Sequence, residues 1–200
     1  MSAAAPGSPA SSRGTRTRAG NAMGRTRSAL LSGAARALQA KGVRHTTMTD
    51  LAASAGVAKA TLYNHFRTKN DVWAALIVAE VDTLAAECAG RSLEDALVHA
   101  ATRLSAHPVV RGIAADDPSS LAGMVTGSDS AGWHAARMAV RGALETAGRG
   151  GDDTVLRWLS SHLATPGSGD SVRAGAAALI AGLPRETQAA GDLPGRAERS

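Results

Sequence analysis

The stretch TMTDLAASAGVAKATLYNHFRTK, residues 47–69, decides the fold. Thr47 followed three residues later by Asp50 is a capping box. The hydroxyl of one residue and the carboxylate of the other satisfy backbone N–H groups that a helix start leaves unpaired, so a short helix is predicted over Met48–Ala55. Gly56 ends that helix, because a left-handed turn there carries no Cβ penalty. A second short helix is expected over Lys59–Phe66, after the turn Ala55-Gly56-Val57-Ala58. Thr68 and Asp71 then form another capping box, opening a long helix to about Glu87. Two short helices around a tight glycine turn are the minimum of a helix-turn-helix. A preceding helix from Arg25 completes it, with a stripe of Leu30, Leu31, Ala34, Ala35 and Leu38 that stops at Lys41-Gly42. Ala52, Val57, Leu62 and Phe66 are spaced to close a small core against Leu30 and Leu38.

At 100° per residue the second helix of the pair places Leu62 and Phe66 on one side and Ala60, Thr61 and Asn64 on the other. An Asn on such a face can pair bidentately with adenine, a Thr can reach a base edge or a phosphate, and a small Ala admits a thymine methyl. Tyr63 and His65 fall on the shoulders, where the groove walls present phosphates. Lys59, Lys69 and the helix starts at Thr47 and Thr68 add positive potential. His65 as a plain surface histidine and Tyr63 as a packing residue are the alternatives for those two positions.

Charge is distributed to match. Residues 1–69 hold eleven Lys/Arg and a single acid, Asp50, a net of +10, whereas residues 70–200 net −5. A cationic field of that density draws polyanions or forms a solvated tail, and its place beside a polar recognition face favours nucleic acid.

Thr46-Thr47-Met48-Thr49-Asp50-Leu51-Ala52, Ala55-Gly56-Val57-Ala58-Lys59-Ala60-Thr61-Leu62-Tyr63-Asn64-His65-Phe66 and Lys69 together resemble the signature of the TetR/AcrR family of transcriptional regulators, over about residues 25–85. The resemblance implies an all-helical homodimer in which Lys59, Thr61, Tyr63, Asn64, His65 and Lys69 hold DNA-contacting positions. Thr47 would cap a helix against the DNA backbone. It also implies a regulator, most often a repressor of a palindromic double-stranded operator, released by a small-molecule effector. Ala58 departs from the family pattern, which has Ser or Thr there, and Ala cannot cap a helix. An architectural or protein-interaction factor with the same head and no effector is the alternative reading.

The expected architecture is all-α: a basic disordered arm over 1–22, a three-helix helix-turn-helix domain over 23–68, a helical ligand-binding and dimerisation bundle over 69–183, and a flexible tail over 184–200. The arm is Ala, Gly, Ser, Pro, Thr and Arg with little to bury. Its Arg13, Arg16 and Arg18, with Arg25 and Arg27, either lie along phosphates, enter the minor groove or remain solvated. In the body, helical stripes are expected over about 93–106, 108–114, 118–126, 131–148, 152–164 and 171–183. Ala174, Gly175, Ala176, Ala177 and Ala178 allow a close helix approach, either to a second subunit through the last two helices or within one subunit. A ligand pocket would draw on Trp73, Leu97, Ala101, Met124, Trp133, Arg137, Met138 and Trp158. With no Tyr or Phe after Phe66, it would not be an aromatic-rich cavity.

Other classes find little support. His99, His107, His134 and His162 lack metal-site spacing, lone Cys88 has no CxxC partner, and there is no P-loop, GxSxG or HExxH, so no metal, cofactor or catalysis is expected. No apolar run reaches membrane-span length and the N-terminal stretch lacks the apolar core of a signal peptide, which leads to the expectation of a cytoplasmic protein with no membrane partner.

Overall fold

The computed structural model describes residues 13–116, 119 and 130–186; the side chains before Gly24 and those of Arg25 and Asp116 are not described. Among the described residues the chain forms nine helices: α1 Arg13–His45, α2 Met48–Ala55, α3 Lys59–His65, α4 Lys69–Cys88, α5 Leu93–Ala106, α6 Pro108–Asp116, α7 Ala131–Thr146, α8 Asp152–Ala164 and α9 Gly169–Gly182. No strand forms among them, and the only sheet-like pairing is an isolated bridge between Arg149 and Arg185. The all-α expectation holds. Of the expected helix over 118–126 only Ser119 is described, in helical conformation, and Met124 lies outside the described residues.

The chain divides into two units within α4, after Leu76. In the first, α1 packs on α2 and α2 on α3, and Leu30, Leu31, Ala34, Ala37 and Leu38 of α1, Leu51 and Ala52 of α2, Leu62 of α3, Phe66, and Val72 and Leu76 of α4 are all buried. Of the residues expected to be buried here, Ala35 and Val57 are half-exposed. Removing one such leucine from water is worth roughly 1.5–3 kcal/mol, so a head this small depends on each. Helices α1 and α2 meet at Gly33, where a Cβ would stand 2.4 Å from the Ala55 Cα. That approach admits no side chain at position 33.

Two of the sequence boundaries shift. Helix α1 starts at Arg13, inside the stretch expected as disordered, because after Pro9 no residue forbids helix and the arginines and alanines favour it. Gly42 does interrupt α1, with φ 72° and ψ 164°, and one more turn follows to His45.

In the second unit, α5 lies against α8 and α9, and α8 also against α7. Leu97, Leu144, Val155, Ala176 and Leu183 form its core, with Leu93, Val140, Trp158, Leu159 and Ile180 packed around them. Serines open three of the helices: Ser92 accepts from the Asp95 N–H, Ser130 from Trp133 and Ser168 from Ser171. The tail expected from Pro184 is held for three more residues. The Gly150 N–H donates to the Pro184 carbonyl at 2.9 Å and the Glu186 N–H to the Gly148 carbonyl at 3.1 Å. Residues beyond Glu186 lie outside the description.

Candidate nucleic-acid interface

The interface is built on α2, its turn and α3. At the start of α2 the Asp50 N–H donates to Thr47 Oγ1 at 3.2 Å and the Thr47 N–H donates to Asp50 Oδ2 at 2.9 Å, the reciprocal pair the sequence announces. The Thr47 hydroxyl also donates to Asp50 Oδ2 at 2.7 Å, so both of its roles are committed to the cap. Asp50 is further held by the Lys41 ammonium, which, with the Thr47 bonds, pulls its carboxyl well below the usual carboxylate range. Gly56 adopts φ 69° and ψ 30° and donates to the carbonyls of Ala52 and Ala53, closing α2. The Val57 N–H bonds to the Ala52 carbonyl at 3.0 Å, which fixes the direction of the turn.

Helix α3 follows with Ala58 at its N-cap, in extended conformation at φ −65° and ψ 146° and with no side-chain cap bond. Leu62 and Phe66 are 1% and 4% exposed and pin the helix to the head. The opposite face is open: Lys59, Ala60, Tyr63 and Asn64 are exposed, while Thr61 and His65 are half-buried. Tyr63 is 44% exposed, unusual for an aromatic side chain in so small a domain, and the Lys59 ammonium stands 5.8 Å from the centre of its ring. A phenol and an ammonium held together at the rim of an exposed helix suit an acceptor-rich anion.

Three expected contacts are placed differently from one another. His65, half-buried, leans on Phe66, with ring centroids 6.3 Å apart. Lys69, expected to face phosphates, is instead turned onto the chain: its ammonium donates to the Val43 carbonyl at 2.9 Å and reaches the Arg44 carbonyl at 3.4 Å. Helix α1 ends at His45, which leaves the carbonyls of its last turn without partners inside the helix, and the Lys69 ammonium at the start of α4 satisfies two of them. Arg27 of the expected arm sits over the Phe66 ring, 5.1 Å from its centre. The side chains of Arg13, Arg16, Arg18 and Arg25 lie outside the description.

Residues the sequence did not single out complete the frame. Thr46, 1% exposed, donates its hydroxyl to the Gly42 carbonyl at 2.6 Å, and Arg36 donates to the Ser54 carbonyl at 2.7 Å. The doublet Thr46-Thr47 was the available signal for the first, since one threonine is enough to cap α2.

The residues expected to line a ligand pocket do not share one environment. Trp73 falls in the first unit. Leu97 and Ala101 are sealed in the core of the second, at 5% and 0% exposure. Met138, 65% exposed, points to solvent because it lies on the side of α7 opposite Val140. Arg137 is paired with Asp152 and Asp153 on α8. Trp158 packs edge-on against His162, at 4.7 Å between ring centroids. Trp133 keeps an indole N–H that is buried and has no partner among the described residues.

Among the described residues no helix is long and apolar enough to cross a membrane, and no group of three or more potential ligands gathers to hold a metal ion. Residues 30–76 match the family model of bacterial regulatory proteins, tetR family. No curated protein matches the chain. Among solved structures, the TetR family repressor AlkX from Dietzia sp. strain DQ12-45-1b, implicated in biodegradation of n-alkanes, is 20% identical and aligns over 76% of this chain and 94% of its own, with a TM-score of 0.58. GusR from Salmonella enterica is 18% identical over 78% of this chain and 92% of its own, with a TM-score of 0.52. The head over residues 30–76, with its open recognition helix, is thus that of the bacterial regulatory proteins of the tetR family, and the fold over most of the chain is similar to that of these two structures.

Proposed function

We propose that the chain is a repressor that binds a palindromic operator as a homodimer and is released from it by a small-molecule effector. The observation that carries the DNA reading is the division of α3: Leu62 and Phe66 are buried, while Ala60, Tyr63 and Asn64 stand exposed. Thr61 and Asn64 read base edges in the major groove, Ala60 permits the close approach, and Tyr63, His65 and Lys59 grip phosphates on either wall. Lys69 and Thr47 act one step back, by fixing the starts of α4 and α2 against the frame. One such head binds weakly, and pairing two of them about one turn of DNA, roughly 34 Å apart, turns modest contacts into selectivity.

The body supports dimerisation through α8 and α9. Ala176 is buried and Gly175 packs on the Trp158 indole, so that part of the small-residue run belongs inside the subunit. Ala174, Ala177 and Ala178 remain exposed. The effector reading rests on the family resemblance and on the buried indole N–H of Trp133, which has no partner among the described residues and which an acceptor group on a small molecule would satisfy. An effector releases DNA by binding one arrangement of the two heads better than the other.

The test is selection of duplexes from a random library by the full chain, followed by binding of variants to the enriched sequence. Asn64→Ala should lose about 1–3 kcal/mol of discrimination at one base pair per half-site, and Thr61→Ala should relax a neighbouring one. Lys59→Gln should weaken all duplexes alike. If Thr61→Ala and Asn64→Ala both left the preference unchanged, the assignment of base reading to α3 would fail.

A further inference from the structure

The part of the chain matched by the family model begins at Leu30, yet α1 begins at Arg13. The residues between carry Arg13, Arg16, Arg18, Arg25 and Arg27 and no acid, and the first acid in the whole sequence is Asp50. The described end of this extension stands off the core. A Cβ at Gly24 would meet nothing within 4 Å, and Ser28 and Ala29 are exposed, so among the described side chains of α1 full burial begins at Leu30. Its base is placed by Arg27, whose guanidinium lies over Phe66, the residue that ends α3. A helix with few apolar side chains that repeats one sign of charge gains nothing from standing alone in water.

We infer that the N-terminal part of α1 is a second DNA contact: a helical arm that lies along the sugar-phosphate backbone beside the half-site read by α3. The inference rests on the DNA reading above and adds a surface to it. From Arg13 to Ala29 the helix is about 25 Å long at 1.5 Å per residue, long enough to pass several phosphates of one strand. Its form dictates what it reads. With side chains, a helix is about 10–12 Å across, whereas the minor groove is about 6 Å wide, so the arm stays on the backbone rather than entering that groove. Phosphate contacts position and strengthen without selecting sequence. The arm therefore supplies affinity common to all duplexes, and α3 supplies the choice among them.

The experiment uses the full chain, the library-enriched duplex and a scrambled duplex of equal length, each titrated across a range of salt. In one variant Arg13, Arg16, Arg18 and Arg25 all become Gln; in a second all four become Lys; Arg27 is kept in both because it packs on Phe66. Far-UV circular dichroism and the melting temperature establish that the body is unchanged. For the Gln variant, affinity should fall at least ten-fold on both duplexes. The slope of log affinity against log salt should shrink by about 0.9 for each phosphate that the arm no longer neutralises, roughly three to four per protomer, and the ranking of sequences should stay the same. The Lys variant should restore most of the slope, since a phosphate accepts either cation. An unchanged slope in the Gln variant identifies a solvated arm and overturns the inference. A Gln variant that changes preference at flanking A·T pairs, or a Lys variant that does not recover, identifies minor-groove reading and also overturns it. Wild-type protein that binds neither duplex in a salt-dependent way overturns the DNA reading as a whole, a result distinct from failure of the arm alone.

Discussion

Ala58 is where a single atom most visibly limits the head. It holds the extended conformation of an N-cap and has no side-chain oxygen with which to meet the first N–H groups of α3. Ala58→Ser supplies that oxygen without disturbing a buried contact, because Ala58 is exposed. The substitution should stabilise the protein by about 1 kcal/mol, visible as a rise of roughly 2–4 °C in Tm by differential scanning calorimetry. An unchanged or lower Tm would show that the start of α3 is already satisfied. His162 carries the opposite defect. Its ring is 8% exposed, packs against Trp158, and has both nitrogens buried without a partner among the described residues, so desolvation holds its pKa below the ordinary histidine value. The unfolded chain thus takes up this proton at a higher pH than the folded one. Stability from the neutral ring is intact above about pH 6.5 and is lost as pH falls below it. Urea midpoints measured at pH 7.5 and 5.5 should drop on acidification in wild type and drop less in His162→Leu. The difference between the two proteins isolates this group from His99 and His107, whose carboxylate neighbours Glu87 and Glu80 are the same in both. An equal drop in both would remove His162 from the account.

At the scale of elements, the crossing of α1 over α2 depends on Gly33. A Cβ there would meet backbone and side-chain atoms of Ala55 at 2.4–2.6 Å, so the two helices must separate to admit it. Gly33→Ala should destabilise the head by about 1–3 kcal/mol, despite the better helix propensity of Ala, and should weaken DNA binding because α2 orients α3. Calorimetry together with a binding titration checks both, and a variant as stable as wild type would mean that the crossing yields without strain. The contrast with the caps shows what was legible in the sequence. The pairs Thr47 with Asp50 and Thr68 with Asp71 act across three residues, so reading along the chain suffices, and the structure forms both. The division of α3 was legible for the same reason, since Leu62 and Phe66 are one helical turn apart. Lys69 was not, because its partners Val43 and Arg44 are 26 and 25 residues away, and only the folded head brings the end of α1 to the start of α4. Gly33 was silent for a related reason: a glycine among alanines in a helix is ordinary until the position of Ala55 is known. The body was legible as stripes and not as a site. Leu97, Ala100, Val155, Val172 and Ala176 are buried as their periodicity indicates, but periodicity alone did not separate Met138, on the outer side of α7, from Trp133.

For the molecule as a whole, the proposal requires two heads, and the outer face of α9 is where a second copy has room. Ala174, Ala177, Ala178 and Ala181 recur at the spacing of one helical face and are all exposed, while Val172 and Ala176 hold the other face to the core. Small side chains let two helix backbones approach closely, so the energy of such an interface comes from contact area and dispersion rather than from a few large anchors. Such a surface is sensitive to bulk and charge at its centre. Ala178→Glu places a carboxylate opposite its own symmetry mate in a twofold interface, where two like charges would be desolvated together. The same residue on a monomer would face water and cost little. Sedimentation equilibrium should therefore find wild type dimeric and Ala178→Glu monomeric, with matching circular dichroism at a concentration where both are folded. Affinity for the enriched duplex should fall towards that of a single head on a half-site, while the base preference within each half-site persists because α3 is untouched. A variant that remained dimeric would move the interface away from α9. A monomeric variant that kept full affinity for the palindrome would remove dimerisation from the mechanism, leaving each head to bind its half-site alone.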